Sequence, residues 1–256
     1  MNNQVTYEFP LNERIRVFIR LEQLFQEFNH FSAGPTIADK RAAIAVLLDV
    51  MSIFRRNDLK SEILKELDRH SKVLNKYADS PNADPKNLEA VLAKITDTSK
   101  KLYATPGKIG IAIMESDLFQ SIAQRSSIPG GTCSFDLPEF HYWLELDEAV
   151  RVKDLERWSQ PFGEIRSAID LIMNFIRTSN SASDEVAEAG FFQIALDKDL
   201  PYQLIKVSVD KSLSCFAEIS GGKHRCTIRF MVPSADEQRP TQSPDDIPFS
   251  LTRCLF

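Results

Sequence analysis

Residues 202–232 read YQLIKVSVDKSLSCFAEISGGKHRCTIRFMV, and their hydrophobic period is two. From Tyr202 to Asp210, Ile205, Val207 and Val209 alternate with Leu204, Lys206 and Ser208. Side chains of a strand point to opposite faces in turn, so this spacing predicts a half-buried strand. Phe216 to Ile219 is a second run and Lys223 to Val232 a third, with Gly221-Gly222 between them. Two such runs around a glycine pair predict a hairpin. In its second arm Cys226, Ile228 and Phe230 share one face and are assigned to the core. Arg225, Thr227 and Arg229 share the other, which leaves two guanidinium groups pointing outward, roughly 13 Å apart at about 3.4 Å per residue. Lys223 and Lys206 are expected to extend this basic patch. A single exposed arginine is ordinarily a solvated charge. The pair is singled out because arginine forks suit carboxylate partners.

Downstream, Ser234 to Asp246 is polar and proline-rich and reads as a long loop, and Phe249 to Phe256 is a candidate last strand. Upstream, Ser179 to Asp184 is small and polar and reads as a linker. Before it the period changes. Leu11, Ile15, Phe18, Phe25 and Phe28 recur at helical spacing after Pro10 and Asn12. Gly34-Pro35 breaks the chain, and Thr36 with Asp39 is a start signal for an apolar helix from Ile37 to Phe54. Asn57 and Asp58 open a third helix, with a stripe of Leu59, Ile63, Leu67, His70, Leu74 and Tyr77. His70, on that stripe, is assigned to the core. Asp84-Pro85 starts a fourth helix and Thr105-Pro106-Gly107 stops it. Further helices are predicted over Met114 to Arg125, Asp147 to Ser159 and Phe162 to Arg177. The fold class is therefore α+β. A mainly helical domain is expected over 10–180 and a smaller antiparallel β-strand domain over 185–256, with residues 1–9 a candidate extra strand.

Composition narrows the function. The chain has 256 residues, 43% hydrophobic and 26% charged, with a net charge of -5. That balance suits a globular protein with its own core and argues against nucleic acid or an anionic membrane as partner, since both favour a basic surplus. The N-terminus lacks an apolar signal segment, and the longest apolar run, Ala42 to Val50, contains Asp49 and is too short to span a bilayer. Cys133, Cys215, Cys226 and Cys254 form no C-x-x-C pair and read as reduced, mostly buried thiols of a cytoplasmic protein.

Residues 128–141, IPGGTCSFDLPEFH, form the one dense polar cluster. Cys133 with His141 could serve a thiol-dependent enzyme, or with Asp136 and Glu139 a metal. A catalytic cysteine needs a base and an electropositive pocket, and a zinc site normally needs four ligands at recognisable spacing, with no second ligand pair here. The plainer reading is a Pro-Gly-Gly turn leading into a half-buried segment. Ser220 to His224 lacks the first glycine and the final Ser or Thr of a phosphate loop. No cofactor is expected, and no catalysis.

Four segments carry a resemblance. VTYEFPLNERIRVFIRLE (5–22), SEILKELDRH (61–70), SIPGGTCSFDLPEFHYWLEL (127–146) and ISGGKHRCTIRFM (219–231) are similar, in order along the chain, to the ZapD family. The resemblance implies a helical domain, a β-strand domain and a symmetric homodimer. It also implies binding to the C-terminal tail of the division protein FtsZ, bundling of FtsZ filaments, and promotion of ring assembly at mid-cell. A basic pocket for the tail would include Arg20 and His141, and a third pocket position, an arginine in the family, is Asp117 here. Positions implicated in bundling correspond to Arg56, Arg225 and Arg229. The rival readings are an enzyme using Cys133 and His141, and a helical adaptor for another acidic partner.

Overall fold

A computed structural model of the protein describes residues 3–56, 58–77, 85–105, 107–222, 224–234 and 239–256. Asn57, Asp84, Pro106 and Lys223, each given a role above, lie outside the described residues. The fold is α+β, and the chain divides into two compact units. One is Val17–Ile172; the other joins Met1–Arg16 to Met173–Phe256.

The helices are α1 (Glu13–Ala33), α2 (Ile37–Arg56), α3 (Leu59–Tyr77), α4 (Pro85–Ala104), α5 (Ile111–Met114), α6 (Asp117–Arg125), α7 (Pro138–Leu144), α8 (Glu148–Ser159) and α9 (Gly163–Thr178). Their ends follow local chemistry. Asn12 accepts from the Ile15 amide at 3.0 Å and so caps α1. At the start of α2, Thr36 Oγ1 accepts from the Asp39 amide at 3.1 Å, and Asp39 Oδ2 accepts from the Thr36 amide at 2.9 Å. This reciprocal box satisfies two amides that a helix start leaves unpaired. The fully buried Lys40 donates to the carbonyls of Ser32 (2.6 Å) and Gly34 (2.7 Å), so its charge closes the end of α1. Ala43, Ile44, Leu47, Val50 and Met51 bury the core face of α2. On α3, Leu59, Ile63, Leu67 and His70 are buried as the stripe predicts.

One helical expectation is corrected, and one half-buried segment with no element assigned to it is helical. The helix predicted over Met114 to Arg125 is interrupted, because Ser116 adopts an extended conformation (φ -64, ψ 132) and α6 restarts at Asp117. Serine before an acidic residue favours a helix start over continuation. The segment read as leading out of a turn holds α7, with Pro138 at its first position. The buried Arg151 closes this short helix by donating to the carbonyls of Leu144 and Leu146.

The strands are β1 (Gln4–Pro10), β2 (Ser183–Ala187), β3 (Phe191–Ala195), β4 (Leu204–Asp210), β5 (Phe216–Gly221), β6 (Arg225–Val232), β7 (Thr241–Gln242) and β8 (Ile247–Cys254). They form two antiparallel sheets, one ordered β1-β4-β8-β2 and one ordered β3-β6-β5, with β7 on β6. The N-terminal strand pairs with β4, Tyr7 opposite Val207. β2 begins inside the expected linker, and β3 was not foreseen. The chain leaves β2 for β3 through Ala189 (φ 45) and Gly190 (φ 70), both left-handed. A side chain on Gly190 would sit 2.8 Å from the Ser243 carbonyl oxygen, so glycine is required there. Inward residues of both sheets share one core that includes Ile194, Val207, Ile228, Phe230, Phe249 and Leu251. Burying a side chain the size of Phe230 contributes about 2–3 kcal/mol.

Candidate functional site

β6 lies between β3 and β5, so its backbone is bonded on both sides. Cys226, Ile228 and Phe230 have no exposed surface. Alternation then turns Arg225 and Arg229 outward, and both are exposed. Arg229 stands opposite Phe191 on β3 and Glu218 on β5, and Arg225 stands opposite Ala195. Among the described residues neither guanidinium makes a hydrogen bond or an ion pair. The platform is firm because its buried positions are apolar, and the Cys226 thiol, pushed up to about 11 by burial, stays neutral there.

Lys206 does not extend this row. It is half-buried on β4, in the other sheet, facing away from a strand face whose neighbours Ile205 and Val207 fill the shared core. Sequence reasoning overlooked the two neighbours of Arg229. Phe191 is 39% exposed, an apolar side chain beside a free cation, and Glu218 is the acid across the strand. The alternating burial of Phe191 to Ala195 was the available signal.

The other positions belong to the helical unit. Arg20 is exposed on α1, one turn beyond Arg16, which pairs with Glu13 at 3.3 Å. His141 is exposed on α7. Arg56 is exposed at the end of α2, where a cation suits the negative end of the helix. Asp117, at the position where the family resemblance places an arginine, is the first residue of α6, and a carboxylate suits the positive end of that helix. Arg225 and Arg229 are thus gathered on one strand, while Arg20, Arg56 and His141 stand on three separate helices.

The 128–141 segment is braced. Its Asp136 pairs with Arg125 at 3.1 Å, and Arg41 donates to the Thr132 carbonyl at 3.1 Å while lying over the Phe140 ring. Cys133 is exposed on this turn, and its carbonyl accepts from the amides of Asp136 and Leu137. All four cysteines are free, with Cys226 and Cys254 buried. Among the described residues no group of three His, Cys, Asp or Glu side chains could hold a metal, and no helix is long and apolar enough to cross a membrane.

Similarity to known proteins runs along the whole chain. Residues 19–229 match the ZapD family, described as a cell division protein. A cell division protein ZapD from Methylococcus capsulatus is 46% identical over 256 residues, covering 100% of both chains. Proteins of the same name from Nitrosomonas eutropha and Chromobacterium violaceum are 38% and 37% identical, each over 98% of this chain and 99% and 100% of their own.

Proposed function

The chain belongs to the ZapD family of cell division proteins, and from that premise we propose that it binds the C-terminal tail of FtsZ and cross-links FtsZ filaments at the mid-cell ring. The observation that carries the proposal is the pair of outward guanidinium groups of Arg225 and Arg229, without a partner among the described residues, on the central strand of a sheet. Arginine forks grip carboxylates, and a flat sheet face lets an acidic segment lie across them.

Valency supplies the strength. One exposed ion pair contributes only ~0.2–1 kcal/mol. A two-fold homodimer displays the same patch twice, and a polymer displays many tails, so effective concentration raises avidity without new contacts. The role is non-catalytic and cytoplasmic in this reading, with no cofactor. Arg20, His141 and Arg56 supply further polar contacts to the same partner.

A titration tests the partner directly. We expect a labelled FtsZ tail peptide to bind the purified homodimer, and FtsZ filaments lacking the tail to remain unbundled. Equal bundling of tailless filaments would reject the tail as ligand, and a strictly monomeric protein at working concentration would remove the two-fold display.

A further inference from the structure

α2 ends on Arg55-Arg56 and α3 begins at Leu59. Between this corner and the chain at Gly107 to Ile109 lies a cleft of about 440 Å³. Its floor is apolar, formed by the buried Phe54, Leu59 and Ile109. Its rim carries four cations, Arg55, Arg56, Lys60 and Lys108. Among the described residues the one carboxylate on the rim is Asp58, which accepts from the Ser61 amide at 3.3 Å to cap α3.

This collection of charge is not a by-product of a basic protein, because the chain as a whole carries -5. Four like charges around one concavity repel one another, and a bound anion relieves that repulsion. Two of the four are held in place: Arg55 donates to the Met114 carbonyl at 3.3 Å and Lys60 to the Thr105 carbonyl at 2.6 Å. Arg56 and Lys108 are exposed and, among the described residues, have no hydrogen-bond or ion-pair partner. The cleft therefore has two cations held by backbone carbonyls and two without a partner among the described residues. Its volume falls in the range of small-ligand sites, about 300–1,000 Å³, and exceeds what one inorganic anion fills. An apolar floor beneath a cationic rim matches a short peptide segment with several carboxylates and an apolar side chain between them.

We infer that this cleft is a second binding site for acidic peptide segments, separate from the Arg225 and Arg229 face, so that each chain carries two such sites. Arg55, Lys60 and Lys108 then join Arg56 as ligand-binding residues. Bridging valency is doubled per copy, whichever polymer supplies the segment.

Fluorescence anisotropy with labelled hexaglutamate at low salt tests this without FtsZ. We expect two sites per chain of the full-length protein. Arg56→Glu with Lys108→Glu should remove one site, or weaken it about tenfold, and leave the other. Arg225→Glu with Arg229→Glu should do the reverse. Both pairs are exposed, and an unchanged thermal melt confirms that each variant folds. No hexaglutamate binding by the natural sequence, or two sites persisting in the Arg56 and Lys108 variant, overturns the inference. Pyrophosphate binding more tightly than hexaglutamate at the same residues also overturns it, assigning the cleft to phosphate ligands. Failure of FtsZ binding with these results intact would reject the proposed partner and leave the cleft assignment standing.

Discussion

The two sheets of the β unit obey the same alternation yet present opposite kinds of surface. Across the β1-β4-β8-β2 sheet, Thr6, Ser208, Ser250 and Asp184 stand in one register row. Their side chains satisfy one another, Thr6 with Ser208 at 2.8 Å and Ser250 with Asp184 at 3.1 Å. In the same unit Glu8 is gripped by both Nε and a terminal nitrogen of Arg177, each at 2.7 Å, and Glu185 by Arg253 at 3.1 Å. Across the β3-β6-β5 sheet the matching outward positions hold Arg225 and Arg229 with no partner among the described residues. Outward orientation alone therefore does not mark a binding surface. What distinguishes β6 is that the fold uses its neighbours on one face and leaves the charges on the other without a partner among the described residues.

The comparison can be broken most severely from beneath. Phe230→Ala removes a fully buried ring under the arginine face and should cost about 3–5 kcal/mol, measured by urea unfolding. A loss below about 1 kcal/mol would mean that β6 is not a packed platform. The next effect separates the platform from the helical unit. His70, fully buried on α3, is held down to about 4 by desolvation first and by the neighbouring Arg69 second, against the opposing pull of Glu66. The folded state thus favours neutral imidazole, whereas the unfolded chain takes up a proton near 6.5. This contribution is complete above that value and is lost as pH falls towards about 4, up to about 3 kcal/mol in all. Melting curves between pH 7 and 4.5 should show the decline, and His70→Leu should flatten it. A pH slope unchanged by His70→Leu would point to another titrating group.

A smaller effect tests paired against unpaired arginine directly. Arg177→Met strands the half-buried Glu8 carboxylate and should cost about 1–3 kcal/mol. Arg225→Met and Arg229→Met should each change stability by less than about 0.5 kcal/mol. Equal losses in thermal melts would erase the distinction between the two surfaces. The smallest expected change is at Glu218. Glu218→Gln removes the acid opposite Arg229 and should strengthen hexaglutamate binding by about twofold. Weaker binding would show that Glu218 positions the arginine instead of competing for it.

Parts of this organisation were legible in the sequence because the relevant contacts are local. The alternation of Cys226, Ile228 and Phe230 with Arg225 and Arg229 needs only the period of a strand, and the Thr36 and Asp39 box needs only a spacing of three. What escaped depends on backbone turns or on distant partners. The break at Ser116 is invisible to hydrophobic spacing, since Ile113, Met114, Phe119 and Ile122 are buried on both sides of it. β2 and β3 are short and joined by left-handed residues at Ala189 and Gly190. The basic cleft joins Arg56 to Lys108, far apart in the chain, and so has no local pattern to read. Lys206 misled because a lysine alternating outward on one strand says nothing about which sheet that strand joins.

Low-speed sedimentation of FtsZ filaments, with the natural protein and with its Arg225→Glu and Arg229→Glu double variant, probes the β6 face most directly. We expect the natural protein to carry filaments into the pellet, less so as salt rises and screens the contacts, and the folded variant to leave them in the supernatant. Undiminished pelleting by the folded variant would contradict the assignment of the outward arginines of β6 as the filament-gripping surface.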